Sequence, residues 1–150
     1  MVAARGGDPG AIGLTVPRAV ASAMLEHARS ELPNEAVGLL GGSLADGLAA
    51  AYHPARNAER SPLRYAVHAD DLVRIVFAIE DAGQDLVAIF HSHTRSPAVP
   101  SATDRRAAMY PDPFYVLATL ADPAAPPERA LRAWRIHGGA SFEVPLRVRD

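Results

Sequence analysis

Between residues 17 and 32 the apolar positions recur with helical spacing. Ala21, Leu25, Ala28 and Leu32 lie at i, i+4, i+7 and i+11, and Val20 and Met24 widen the stripe. Pro17 suits a first helical turn, and Pro33 stops the element. Ala36–Gly41 is a short apolar run, which predicts a buried strand; Leu48–His53 predicts a weaker one. The polar stretch His53–Pro62 is expected to be a loop, followed by a short strand over Arg64–Val67. Leu72, Ile75, Val76 and Ile79 form the stripe of a second helix, Asp70–Ala82, with Asp70 and Asp71 at the end where the dipole favours anions and Gly83 closing it. Leu86–Phe90 is apolar throughout and predicts a central strand covered on both faces. A Pro-containing loop, Thr94–Pro100, leads to a short helix from Ser101 to about Met109. Phe114–Leu120 predicts another core strand, and Asp122–Arg129 a Pro-rich surface connection. Ala133–His137 and Ala140–Val144 flank Gly138-Gly139, a two-residue hairpin signal. This alternation predicts an α/β fold: one domain, with a mixed β-sheet sandwiched by helices and an antiparallel C-terminal hairpin.

Composition narrows the class. The 150 residues suit one domain with a sizeable core, and 49% hydrophobic with 21% charged residues is ordinary globular usage. Residues 1–13, rich in Gly and Ala, are expected to be a flexible N-terminus without the features of a signal peptide, and residues 14–150 to form the domain. No apolar run approaches the ~18–20 residues needed to cross a bilayer, so a cytoplasmic protein without a membrane partner is expected. A net charge of −2 supplies no broad basic footprint for nucleic acid. All fifteen basic residues are Arg, so the chain has no side-chain amine for isopeptide tagging. There is no cysteine, which excludes a disulfide framework and a thiol nucleophile and leaves His, Asp and Glu as the metal ligands available.

The segment that carries chemistry is His91–Asp104 (HSHTRSPAVPSATD). His91 and His93 end a predicted buried strand, and residues two apart in an extended chain share a side, so both imidazoles can converge on one ion. Asp104, in the first turn of the next helix, can add a carboxylate. Two His and one carboxylate, with a fourth position left for water, make the ligand set of a catalytic zinc site. Ser101 and Asp104 also match a helix-capping pattern, which competes with metal binding for the Asp104 carboxylate.

The joint spacing decides between these readings. His-Ser-His, seven residues, Ser, two residues, Asp resembles the full signature of the JAMM (MPN-plus) metallopeptidases, and His91, His93, Ser101 and Asp104 fill every position. Glu35, just before the Ala36–Gly41 run, stands where that family carries an upstream Glu. The resemblance covers roughly Leu14 to Leu146 and implies a cytidine-deaminase-like JAMM/MPN fold. It implies one zinc ion on His91, His93 and Asp104, with Glu35 as general base and Ser101 as oxyanion donor. Ser92, between the two His, is expected to support the loop.

Asn57–Pro62 (NAERSP) and Phe114–Ala118 (FYVLA) are most similar to the small bacterial branch of the family. That likeness implies hydrolysis of the amide bond after the C-terminal Gly-Gly of a ubiquitin-like sulfur carrier protein, with release of cysteine. Arg60, Arg64 and Arg95 are candidates to pair with the leaving amino acid's carboxylate, and Asn57 either holds a loop or touches substrate. Two other functions compete. One is a deconjugating isopeptidase that removes ubiquitin-like modifiers from lysines. The other is a DNA-repair-associated module resembling the bacterial RadC branch, which carries Pro-Ser-Gly where this chain has Thr94-Arg95-Ser96. His27, His53, His68 and His137 are expected to be structural or exposed, and Trp134 to belong to the core.

Overall fold

The computed structural model describes residues 4–5 and 12–150, so the expected flexible segment 1–13 lies largely outside the described residues. The strands are β1 (Ala4–Arg5), β2 (Leu14–Pro17), β3 (Val37–Ser43), β4 (Leu48–Ala55), β5 (Asp85–His93), β6 (Phe114–Thr119), β7 (Leu131–His137), β8 (Ala140–Val144) and β9 (Leu146–Arg149). The helices are α1 (Arg18–Ser30), α2 (Ala69–Asp81), α3 (Ala102–Ala107) and α4 (Pro127–Ala130). Among the described residues the strands form one mixed sheet in the order β1-β8-β7-β6-β5-β3-β4-β2-β9. The expected class, a mixed sheet between helices, is the one observed.

Two apolar cores lie on opposite faces of the sheet. One gathers Val20, Ala21, Met24, Leu25 and Ala28 of α1 against Leu40, Phe90 and Val116. The other gathers Ile75 and Ile79 of α2 against Val37, Leu39, Ile89, Tyr115, Leu117 and Trp134. Central β5 is covered on both faces, as its unbroken hydrophobic run requires. It pairs antiparallel with β3 and parallel with β6, and His91 stands opposite Val37 on one side and Leu117 on the other. At Gly38 on β3, a Cβ would sit 2.3 Å from the Tyr52 hydroxyl oxygen; only glycine lets that ring cross the strand.

Several expectations need correction. Helix α1 ends at Ser30, because Leu32 precedes Pro33 and a residue before proline is driven out of the helical region. Leu32 therefore leaves the apolar stripe and is 48% exposed. Pro17 closes β2 instead of opening the helix. No strand forms over 64–67; Val67 makes one isolated bridge to Asn57, and the Asn57 side chain takes up neighbouring backbone groups. The helix expected to reach Met109 ends at Ala107, and Met109 is 80% exposed. Strands β2 and β9, which pair parallel at one sheet edge, have no counterpart among the predicted elements. Among the described residues no helix is long and apolar enough to cross a membrane.

Candidate metal centre and active-site cleft

The end of β5 builds the centre. Alternation along the strand sends His91 and His93 to the same side, and both Nε2 atoms meet one oxygen of Asp104. His93 Nε2 lies 2.9 Å and His91 Nε2 3.2 Å from Asp104 Oδ2. The three residues are buried, at 0%, 5% and 2% exposure for His91, His93 and Asp104. Ser92 points the other way. Its backbone N–H donates to the Ala36 carbonyl at 3.0 Å, and its hydroxyl accepts the Ala36 N–H at 2.8 Å. This clamp fixes the residue after Glu35 against the strand that carries the imidazoles, so Ser92 serves the frame, as expected.

The hydrogen bonding tests whether a cation fits. His93 Nδ1 is 2.7 Å from the Pro97 carbonyl, which can only accept, so the proton sits on Nδ1. In the neutral ring Nε2 then presents a lone pair to the Asp104 carboxylate, and two acceptors 2.9 Å apart need a proton or a metal ion between them. His91 is fully buried; its Nδ1 has no hydrogen-bond partner, and its Nε2 faces only the Asp104 carboxylate, at 3.2 Å. Burying a ring nitrogen unpaired, as at Nδ1, is costly. Burial would raise the Asp104 carboxyl, but the two imidazoles outweigh it and hold it well below the carboxylate range. Burial lowers the basicity of His91, which keeps its ring neutral as a ligand must be. The donor set, two imidazoles and a carboxylate within 4.8 Å of one another, suits zinc.

Asp104 reaches the centre while it caps α3. Its Oδ2 accepts the Ser101 N–H at 2.9 Å, and the Ser101 hydroxyl oxygen accepts the Asp104 N–H at 3.0 Å. Capping and metal binding, read from the sequence as competitors, are geometrically compatible: the oxygen that caps is the one that faces both imidazoles.

Glu35 lines a cleft of about 670 Å³ together with Leu32, His93, Arg95 and Ser101. Glu35 is 3% exposed and its Oε1 has no hydrogen-bond partner. Burial, opposed by His93 and reinforced by Asp104, pushes its carboxyl up to about 7. A carboxyl with that affinity can take and return a proton near neutral pH.

The other candidates separate. Arg95 lines the cleft beside Glu35, whereas Arg60 and Asn57 line a different hollow with Arg56 and His68. Arg64 lines neither; its carbonyl accepts from Asn57. Asn57 is a staple: its amide N–H groups go to the carbonyls of Glu35 and Arg64, and its oxygen accepts from Glu59 and Ala66. Both donors and both acceptor positions are thereby used within the protein. Sequence reasoning missed Pro97 and Tyr65. Tyr65 stacks on His91 with centroids 4.1 Å apart and planes at 18°. Neither residue belongs to a spacing pattern that could reveal it.

A family model described as prokaryotic homologs of the JAB domain matches residues 17–137. The chain belongs to the prokaryotic JAB family. Its likeness to the CysO-cysteine peptidase of Mycobacterium tuberculosis is 39% identity over 140 residues, covering 93% of this chain and 94% of that protein. A desampylase of Haloferax volcanii is 38% identical over 99 residues, 63% of this chain and 71% of the relative. The solution structure of a Desulfitobacterium hafniense protein superposes with a TM-score of 0.82 at 30% identity, covering 91% of this chain and 93% of the other. This JAB domain is a hydrolase of the JAMM metallopeptidase type, as the motif implies.

Proposed function

We propose that this JAB peptidase hydrolyses the amide bond after the C-terminal Gly-Gly of a ubiquitin-like sulfur carrier protein and releases cysteine, using one zinc ion per chain. The observation that carries the reading is the convergence of an unpartnered Glu35 oxygen, His93, Ser101 and Arg95 on one cleft.

His91, His93 and Asp104 would hold the metal. When bound there, zinc lowers the pKa of a water and polarises the scissile carbonyl. Glu35 takes a proton from the attacking water at Oε1 and returns it to the leaving amine, as a carboxyl poised near 7 can do in both directions. The Ser101 oxygen accepts the Asp104 N–H, which leaves its own proton free to donate to the oxygen that gains charge. A Gly-Gly tail suits the approach to such a cleft, because backbone without side chains can pass close to the walls. Arg95 supplies the cation for the carboxylate of the departing amino acid, and charge-assisted pairs of that kind are strong. The relative named a CysO-cysteine peptidase, matched almost end to end, supports cysteine as that amino acid.

A second reading, removal of a ubiquitin-like modifier from lysines, draws on the likeness to the desampylase. The two separate on substrate. A carrier ending Gly-Gly-Cys should be cut quickly, its amidated form much more slowly, and a lysine-linked conjugate poorly. Efficient cleavage of the conjugate with no action on the Cys-extended carrier reverses the assignment.

A further inference from the structure

The two imidazoles of the centre are oriented by different means. His93 is fixed by a hydrogen bond from Nδ1 to the Pro97 carbonyl, the usual way a metal-binding histidine is held. His91 has no such partner, for its Nδ1 is buried without a hydrogen bond. Its ring lies instead face to face with Tyr65, at 4.1 Å and 18°. Behind Tyr65 is an apolar hollow of about 530 Å³ reached by Leu72, Met109, Tyr110 and Tyr115, so the phenol ring is the wall between that hollow and a fully buried His91.

Tyr65 sits outside the named strands, in a segment joined to 56–58 by one isolated bridge, with the Ala58 N–H donating to the Ala66 carbonyl at 2.8 Å and the His68 N–H to the Arg56 carbonyl at 3.0 Å. The Asn57 side chain reinforces that bridge: Nδ2 donates to the Arg64 carbonyl at 2.9 Å, and Oδ1 accepts the Ala66 N–H at 3.1 Å. These are the residues on either side of Tyr65. The same Nδ2 donates to the Glu35 carbonyl at 3.0 Å. One amide thus ties the Glu35 backbone to the segment whose ring covers His91.

We propose that Tyr65 is a positioning residue for His91. Its stacked ring fixes the plane of the imidazole and keeps water from the hollow off it, and Asn57 holds that ring in register with Glu35. The proposal rests on reading His91 as a metal ligand. It predicts that the aromatic face matters and the hydroxyl does not.

The test is Zn²⁺ affinity of the full chain by competition with a chromophoric chelator, together with the visible spectrum of the Co²⁺-loaded protein. Tyr65→Phe should bind zinc within about twofold of wild type, and Tyr65→Ala about 10–100-fold more weakly, as loss of other supporting partners does. Tyr65→Leu keeps apolar volume without a ring face and should share the loss, which covers the case in which the alanine variant fails to fold. The cobalt bands should shift in the Leu variant and stay in place in the Phe variant. Wild-type affinity in the folded Leu variant overturns the proposal, and so does a Phe variant as weak as the Leu variant. A folded wild-type protein that binds no zinc overturns the metal reading itself, and this proposal with it.

Discussion

Ser101 and Asp104 cap each other across the first turn of α3, and the Asp104 oxygen that accepts the Ser101 N–H is also the one that faces both imidazoles. The capping box therefore aims the Asp104 carboxylate at the two imidazoles. A change at Ser101 should be felt twice. Ser101→Ala loses the cap and should lower stability by about 1 kcal/mol. It also loses a donor at the cleft, which should cut turnover on the order of 10²-fold. Urea unfolding and steady-state kinetics on one preparation separate the effects; lost stability with unchanged turnover restricts Ser101 to capping.

Removing a ligand should empty the centre. His91→Ala, His93→Ala and Asp104→Ala should each lose most bound zinc by elemental analysis, where wild type should hold about one ion per chain. Full retention in any of them removes that residue from the ligand set.

Glu35 carries a signed pH dependence. Its carboxyl sits at about 7 in the folded protein against a usual value near 4.5. Between those pH values the unfolded chain releases the proton first, so metal-free protein loses stability as pH rises through that window. Glu35→Gln abolishes the loss. In chelator, the variant should match wild type near pH 4 and exceed it by about 1–3 kcal/mol at pH 8. The same substitution should keep zinc and cost ~10²–10⁴-fold in turnover. Near wild-type turnover removes Glu35 from the role of base.

Much of this was legible in the chain. Helices α1 and α2, strands β3, β5 and β6, and the β7–β8 hairpin follow from local periodicity and turn residues, because each buries a continuous face. The site was legible because His91, His93, Ser101 and Asp104 sit on one strand, one loop and one short helix, where sequence spacing and spatial spacing agree. What escaped depends on distant partners. β9 pairs with β2 from the far end of the chain, and nothing in Leu146–Arg149 specifies that edge. Tyr65 is held against His91 by a single bridge and the Asn57 side chain, contacts that no local periodicity announces. Leu32 read as core and stands at the rim because Pro33 acts on the residue before it.

The most direct test of the account is the mass of a ubiquitin-like carrier ending Gly-Gly-Cys after incubation with the zinc-loaded enzyme. The account predicts loss of one cysteine residue, leaving a carrier that ends in Gly-Gly, with the reaction stopped by chelator and restored by added zinc. An unchanged carrier mass with folded, zinc-loaded enzyme, or equal cleavage in the presence of chelator, contradicts it.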